Sequence, residues 1–222
     1  MAGLESLRIL LSISVKRNYT LRQLDVKSAF LYGDIDGETY LELPEGYQKS
    51  GKVYRLNKAI YGLKQSARLW FFHLTEALNN MNLTVTDFDP CILVSKDLYY
   101  CIYVDDILIT GKSNLVNQCI EQLQSSFKCN SVETSLLLGM QIEKTTDHLK
   151  IHQQRYTTEI LERFGMEYCN PVNTPIEVSS TLKKAADDKI LCDQKLYQSI
   201  IGSLMYAATA TRPDIADATH FL

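Results

Sequence analysis

Residues 99–110 read Tyr-Tyr-Cys-Ile-Tyr-Val-Asp-Asp-Ile-Leu-Ile-Thr. Apolar residues at 99–104 and 107–110 flank two adjacent acids, Asp105 and Asp106, and this pattern predicts a β-hairpin with both carboxylates at its turn. Two carboxylates this close repel each other unless a cation intervenes, and Mg²⁺ is a hard cation that prefers oxygen ligands. The stretch therefore predicts either a metal site at a sheet edge or an ordinary acidic turn.

A third acidic residue, Asp25, ends another predicted strand at residues 19–25. The chain between Asp25 and Asp105 is long enough for a hairpin and a helix, so the two strands can be neighbours in one sheet. Three carboxylates from two such strands could hold two metal ions, an arrangement that clamps the attacking and leaving oxygens in phosphoryl transfer. Asp25 could instead serve only as a helix cap.

The rest of the chain alternates helical and strand patterns, which indicates a mixed α and β fold. Residues 169–193, which contain Pro171 and Pro175, are predicted to be loop-like. Apolar spacing predicts helices near residues 4–16, 66–81, 113–127, 156–164, 195–209 and 214–222, a strand at 92–95, and hairpins that pair 40–43 with 52–56 and 136–142 with 149–152.

Composition and cysteine spacing exclude several classes of protein. Hydrophobic residues make up 45% and charged residues 22% of the 222 residues, close to the averages for folded domains. No apolar run reaches the roughly 18 residues of a membrane span, and no signal peptide is expected. The six cysteines form no Cys-x-x-Cys pair, which argues against a zinc site and favours reduced thiols in a cytoplasmic protein.

One basic stretch, residues 47–75, stands out against the net charge of −3. It contains no acidic residue, whereas the segment before it is acidic. The stretch can be a solvated surface, or a track that holds phosphates with its cations and stacks bases on its rings. Its cations are Lys49, Lys52, Arg55, Lys58, Lys64 and Arg68, its aromatic residues include Tyr54, Tyr61, Trp70 and Phe71, and the acids upstream are Asp34, Asp36, Glu38, Glu42 and Glu45.

These motifs, taken in order, resemble the reverse transcriptases of Ty1/copia-type LTR retrotransposons over nearly the whole chain. Residues 24–34, Leu-Asp-Val-Lys-Ser-Ala-Phe-Leu-Tyr-Gly-Asp, are similar to the first catalytic motif of that family. A lone Tyr-x-Asp-Asp motif is weakly specific, but an ordered series of blocks is strongly specific. Further blocks similar to the family lie at residues 44–47, 53–56, 61–70, 89–91, 103–109, 138–140, 160–166, 201–206 and 211–215.

The resemblance implies an α+β fold, the palm of a right-hand polymerase, with an antiparallel sheet and packing helices, incomplete fingers, and partial thumb and connection regions. Residues 1–143 would form the palm with partial fingers, and residues 144–222 the thumb and the start of the connection. The implied activity is RNA-directed DNA polymerisation, in which a primer 3′-oxygen attacks the α-phosphate of a deoxynucleoside triphosphate. Implied partners are an RNA or DNA template with its primer, and the ribonuclease H and integrase regions of a longer polyprotein. The implied location is the cytoplasm, or a virus-like particle, without a membrane.

The resemblance also implies residue roles. Asp25, Asp105 and Asp106 would be catalytic and would hold two Mg²⁺ ions, for which Mn²⁺ could substitute. The main chain of Val26 would be a further metal ligand. The ring of Phe30 would collide with a 2′-hydroxyl and so select deoxynucleotides. Gly62, Lys64, Gln65 and Arg68 would line the nucleotide and template, and Leu138, Gly139 and Met140 would form the primer grip.

The chain departs from the family pattern at several positions. Ala67 stands where the family usually has Pro, Tyr32 where it commonly has Asn, and Lys128, the nearest candidate proton donor, is displaced by a residue. The family's fingers segment would precede Met1, so the isolated chain is expected to extend a primer feebly or not at all. Three hypotheses follow: a polymerase core, an inactive retroelement remnant that retains the palm, and a nucleotidyl cyclase or other palm-type nucleotidyltransferase. The basic stretch and the primer-grip match count against the cyclase.

If residues 47–75 hold the phosphates of a nucleic acid, primer–template binding should depend on the cations in this stretch and on the salt concentration. Changing Lys64 and Arg68 together to Ala should weaken primer–template binding and flatten its salt dependence by about one unit per lost phosphate contact. Affinity would be measured by fluorescence anisotropy over a range of salt concentrations. Changing Lys183 and Lys184 to Ala removes the same charge and should weaken primer–template binding much less. Equal losses from both pairs would show that only total charge matters.

Overall fold

Helices and strands follow one another much as the sequence pattern predicts. The computed structural model describes residues 2–47, 51–78, 83–132, 134–145, 148–177 and 193–222, and it divides into two units, Met1–Thr134 and Ser135–Leu222. The elements are α1 (Leu4–Lys16), β1 (Thr20–Val26), β2 (Tyr40–Leu41), β3 (Tyr54–Arg55), α2 (Ser66–Leu78), β4 (Thr84–Val85), β5 (Ile92–Ser95), β6 (Leu98–Tyr103), β7 (Asp106–Gly111), α3 (Ser113–Ser126), β8 (Cys129–Val132), β9 (Leu136–Leu137), β10 (Met140–Lys144), β11 (Leu149–His152), α4 (Gln154–Arg163), α5 (Gln194–Ala210) and α6 (Ala216–Phe221).

The main sheet of the first unit has the strand order β4-β5-β6-β7-β1-β8, and each pair of neighbours is antiparallel. In this order β1 lies between β7 and β8, so residues far apart in the sequence become direct neighbours. The predicted mixed α and β fold with an antiparallel sheet is confirmed.

The core of the first unit lies between one face of this sheet and helices α2 and α3. Leu24, Ile107 and Ile109 are 0% exposed and belong to one apolar cluster with Trp70 of α2 and Val116 of α3. Burying a large apolar side chain stabilises a fold by about 1.5–3 kcal/mol, so these positions fix the strand register. The residues that alternate with them along β1 and β7 therefore point to the opposite face.

The start of α1 is tied to the sheet by Asp89. Its Oδ2 accepts hydrogen bonds from the Gly3 N–H at 2.9 Å and the Ser6 hydroxyl at 2.6 Å, and its Oδ1 accepts from the Cys91 N–H at 3.0 Å. Burial of Asp89 opposes its ionisation, but the donors from Ser6, Gly3 and Cys91 favour the carboxylate, and the pKa of Asp89 is lowered overall.

The second unit contains a sheet in the order β11-β10-β9 with antiparallel neighbours. Helix α4 follows β11, and it ends before Gly165, whose φ of +66° suits glycine. The Tyr156 hydroxyl donates to the Ser203 carbonyl at 3.1 Å and so joins α4 to α5. The unit begins at Ser135, just before β9, and residue 143, at which the sequence-based division falls, lies within β10.

Several predicted boundaries are wrong, and each has a local cause. Strands β4 and β8 are missed because they are short and lack an apolar alternation. The hairpin predicted at 136–142 contains a tight turn at Leu138 and Gly139, which separates β9 from β10. The last predicted helix begins instead with a 3₁₀ turn at Pro213–Ile215. Parts of the predicted helix at 66–81 and of the predicted loop at 169–193 lie outside the described residues.

The cysteines within the described ranges, Cys91, Cys101, Cys119, Cys129 and Cys169, are free thiols. No helix in these ranges combines the length and the apolar character needed to cross a membrane.

We expect Asp89→Asn to destabilise the first unit by about 1–3 kcal/mol, because an amide is a weaker acceptor and orients a donor toward existing donors. The pKa of Asp89 is lower in the folded protein than in the unfolded chain. The Asp89 carboxylate therefore stabilises the fold at pH values above its unfolded pKa, and this stabilisation is lost as the pH falls through its folded pKa. Urea denaturation between pH 2.5 and 7 would show a flatter acid limb in the variant. Asp87→Asn, on the exposed neighbouring loop, should leave the dependence of the unfolding free energy on pH unchanged. If Asp89→Asn also left it unchanged, Asp89 would not hold the start of α1.

Candidate active site

Asp25 and Asp106 lie directly opposite each other in the β1–β7 ladder. Directly opposed residues in a sheet point to the same face, so the two carboxylates share the face away from Leu24 and Ile107. Asp106 is the first residue of β7 rather than part of the turn, which differs from the predicted placement of both acids in the turn.

The turn itself consists of Val104 and Asp105, because Tyr103 pairs with Asp106 across the β6–β7 hairpin. Val104 has a φ of +56°, a conformation that is rare for a β-branched residue. Two hydrogen bonds hold it there: the Trp70 indole Nε1–H donates to the Val104 carbonyl at 2.8 Å, and the Val26 N–H donates to the Asp105 carbonyl at 3.0 Å. A strained residue persists only where its surroundings determine its conformation, as these two contacts do here.

Each of the three carboxylates accepts a hydrogen bond from a different protein donor. The Lys27 ammonium lies 2.7 Å from Asp25 Oδ2, and the Gln23 amide donates to Asp106 Oδ1 at 2.9 Å. The Tyr61 hydroxyl donates to Asp105 Oδ2 at 2.6 Å. The hydrogen bond to Asp105, burial, and the charges of Asp105 and Asp25 raise the pKa of Tyr61 to about 12, so the phenol keeps its proton at neutral pH.

The donor set suits a hard divalent cation, although the side chains are not gathered into one ligand cluster. Within the described ranges, no three His, Cys, Asp or Glu side chains are grouped closely enough to hold a metal ion. Asp105 Oδ1, however, is buried and has no hydrogen-bond partner among the described residues. A carboxylate oxygen is the type of ligand that a hard cation such as Mg²⁺ prefers.

Aromatic residues border these carboxylates. Phe30 lies in a 3₁₀ turn, Ala29–Tyr32, and its ring centroid is 4.5 Å from that of Tyr61. Since Tyr61 contacts Asp105, Phe30 and the carboxylates belong to one site. Gly62, which follows Tyr61, has a φ of +96°, a conformation that favours glycine.

The basic stretch differs from the sequence-based description in two respects. Several of its cations pair with the acidic segment before it: Arg55 with Glu38 at 3.9 Å, Lys58 with Asp34, and Arg68 with Asp36 at 3.5 Å. These exposed pairs contribute little stability. Lys64 makes no ion pair within the described part of the chain, whereas Lys49, Lys183 and Lys184 lie outside it.

Trp70 cannot stack on bases, because it is only 1% exposed. It forms part of an aromatic group with Tyr32 and Phe127, and the Tyr32 hydroxyl accepts a hydrogen bond from the Lys128 N–H at 2.8 Å. Sequence reasoning missed these roles, together with those of Gln23 and Lys27. For Gln23 a signal was available, because residues two apart on a strand share a face and Gln23 is two residues before Asp25 on β1.

The predicted primer-grip residues form a tight turn in the second unit. Leu138 and Gly139 have φ of +50° and +73°, and Met140 pairs with Leu137 across the turn. Positive φ at both central residues is typical of a type I′ turn. The Tyr206 hydroxyl donates to the Leu138 carbonyl at 2.5 Å. A Cβ on Gly139 would clash with that hydroxyl and would also be strained at this positive φ, so glycine is favoured there.

Comparisons with known proteins identify the family of this chain. The family model for reverse transcriptase (RNA-dependent DNA polymerase) matches residues 1–178. The chain is 37% identical to the Retrovirus-related Pol polyprotein from transposon TNT 1-94 of Nicotiana tabacum, over 96% of this chain and 17% of that protein. It is 25% identical to the Transposon Ty1-NL2 Gag-Pol polyprotein of Saccharomyces cerevisiae, over 92% of this chain and 13% of that protein. Among solved structures, apo telomerase from Candida tropicalis aligns with a TM-score of 0.40 and 10% identity, over 67% of this chain and 39% of that one.

The chain therefore belongs to the reverse transcriptase family. Its relatives are Pol polyproteins of Ty1/copia-type elements, so the resemblance inferred from the motifs is confirmed. The chain spans less than a fifth of the length of these two relatives.

The turn geometry makes Trp70 a testable positioning residue. Trp70→Phe keeps an aromatic ring in the core but removes the donor to the Val104 carbonyl, so we expect a loss of about 1–3 kcal/mol of stability and faster amide exchange at Val104 and Asp105. Hydrogen exchange followed by NMR would measure both the loss of stability and the exchange rates of the Val104 and Asp105 amides. Tyr32→Phe removes a hydrogen bond from the same aromatic group without touching the turn, and exchange there should stay slow. Equal exchange in the two variants would show that Trp70 does not hold the turn.

Proposed function

We propose that this chain is the polymerase core of a copia-type Pol polyprotein and adds deoxynucleotides to a primer 3′-hydroxyl on an RNA or DNA template. The observation that carries this proposal is the Asp25–Asp106 pair with Asp105 on the adjoining strained turn, in a chain of the reverse transcriptase family. Acids at one sheet edge, held by strands that the core fixes, are suited to positioning reactants for phosphoryl transfer.

The proposal includes two divalent cations, Mg²⁺ or its substitute Mn²⁺. Asp25, Asp105 and Asp106 would hold them, together with the main-chain oxygen of Val26. When bound, the ions would supply Lewis-acid activation of the 3′-hydroxyl and neutralise charge on the phosphates. Carboxylate oxygens are the type of ligand that such hard cations prefer, which supports this assignment.

The chain's own residues position the acids and the nucleotide. The Gln23 amide orients Asp106, and the Lys27 ammonium balances the charge of Asp25. The Tyr61 hydroxyl holds Asp105 and places its ring against Phe30, and these two rings would form a wall against the nucleotide sugar. A 2′-hydroxyl would collide with that wall, so deoxynucleotides would be selected.

Further partners follow from the same proposal. Gly62, Lys64, Gln65 and Arg68 would line the nucleotide and template, and Leu138, Gly139 and Met140 would hold the primer end. The ribonuclease H and integrase regions of a longer polyprotein, in the cytoplasm or a virus-like particle, would be its neighbours. Family membership counts against a nucleotidyl cyclase, and no observation favours an inactive remnant.

Asp106→Asn is the sharpest test of the catalytic edge. Asparagine keeps the oxygen that accepts from Gln23 but removes the charge, so we expect the fold to persist and primer extension to fall by about 10²–10³-fold. The assay would follow Mg²⁺-dependent extension of a DNA primer on an RNA template, with circular dichroism to confirm folding. Asp87→Asn removes a charge from an exposed loop and should leave extension unchanged. Extension by Asp106→Asn at the rate of the unmodified chain would remove Asp106 from the proposed mechanism.

A further inference from the structure

The three carboxylates of the candidate active site differ in how their oxygens are engaged. Among the described residues, one side chain contacts Oδ2 of Asp25 and another contacts Oδ1 of Asp106. Asp105 is engaged on one side and enclosed on the other. Its Oδ2 accepts a hydrogen bond from the Tyr61 hydroxyl at 2.6 Å, and its Oδ1 is buried. As it lies, Asp105 therefore offers no oxygen that is both exposed and free of a hydrogen bond.

The backbone on which the Asp105 carboxylate is mounted is held in place. The Val26 N–H donates to the Asp105 carbonyl at 3.0 Å, and the Trp70 indole donates to the preceding carbonyl, that of Val104, at 2.8 Å. The carboxylate can therefore change its position only by rotation of the side chain. A rotation about the Cα–Cβ bond that exposes Oδ1 also moves Oδ2, so it breaks the hydrogen bond to Tyr61.

Tyr61 is placed to form this hydrogen bond and to give it up. Its ring packs against that of Phe30, with 4.5 Å between the ring centroids, and the residue is 57% exposed. At the next residue, Gly62, no atom lies within 4 Å of the position that a Cβ would take. Because the surroundings are open, water can replace the carboxylate as the partner of the hydroxyl at little cost.

We propose that Tyr61 is a positioning residue that restrains Asp105, so that a divalent cation at this site competes with the Tyr61 hydroxyl for the Asp105 carboxylate. The inference rests on the proposed polymerase function and adds a control on its metal site. A neutral hydroxyl stabilises a carboxylate less than a divalent cation does, so the cation displaces it once its concentration is high enough. The restraint also agrees with the lack, within the described ranges, of three acidic side chains gathered closely enough to hold a metal ion.

Tyr61→Phe tests the restraint without removing a carboxylate. Phenylalanine keeps the ring against Phe30 and removes only the hydroxyl, so the first unit should fold as before, which circular dichroism would check. Binding of Mn²⁺ to the full chain would be measured by electron paramagnetic resonance, without nucleic acid or nucleotide. We expect Tyr61→Phe to bind Mn²⁺ about three- to tenfold more tightly, because the cation no longer has to break a hydrogen bond. An unchanged affinity would overturn the proposal. So would a weaker one, because it would show that the hydroxyl prepares Asp105 for the cation.

Tyr40→Phe is the matched control. The Tyr40 hydroxyl donates to another carboxylate, that of Glu38, at 3.0 Å, and Tyr40 is 54% exposed, much like Tyr61. Removing it should leave Mn²⁺ affinity unchanged. An equal gain in both variants would show that any exposed hydroxyl has this effect, and the restraint by Tyr61 would be wrong.

Asp106→Asn separates a failure of this inference from a failure of the proposed function. If Asp106→Asn weakens Mn²⁺ binding but Tyr61→Phe does not tighten it, the metal site stands and only the restraint is wrong. If Asp106→Asn leaves Mn²⁺ binding unchanged, the ion is bound elsewhere, and both the restraint and the proposed metal site are wrong. A lack of Mn²⁺ binding by the unmodified chain and by Tyr61→Phe would overturn both as well.

Discussion

The conformation of the turn at Val104 and Asp105 constrains the edge of the sheet at which Asp25 and Asp106 face each other. A two-residue turn brings β6 back as β7 with Asp106 at its first position, opposite Asp25. Valine at positive φ is unfavourable, and the Trp70 indole and the Val26 amide hold the turn from two sides. Because Trp70 belongs to the main core cluster, the strain at the turn is supported by the packing of α2 against the sheet.

Each of the three acids at this edge of the sheet has its own protein partner. Lys27, Gln23 and Tyr61 each contact a different one of the carboxylates of Asp25, Asp106 and Asp105. One oxygen of Asp105 stays buried and has no hydrogen-bond partner among the described residues, and such a polar defect is uncommon in a folded protein.

Polar groups in the second unit follow a similar pattern. The tight turn at Leu138 and Gly139 is satisfied, because the Tyr206 hydroxyl donates to the Leu138 carbonyl. The amide of Gln153 is only half satisfied, since Thr211 donates to its oxygen while its nitrogen has no partner among the described residues.

The sequence by itself determined the strands around Asp25 and Asp105, the helices that cover one sheet face, and the family, because alternating apolar residues and ordered motifs are local signals. Sequence alone could not determine the partners of each acid. The contacts from Gln23, Tyr61 and Trp70 depend on strand order and on the packing of α2, which join residues distant in the chain. Likewise, the basic stretch contains no acid of its own, yet the fold pairs Arg55, Lys58 and Arg68 with the acidic segment before it. Charge counted along a sequence cannot show such pairing, because ion pairs are set by distance in space.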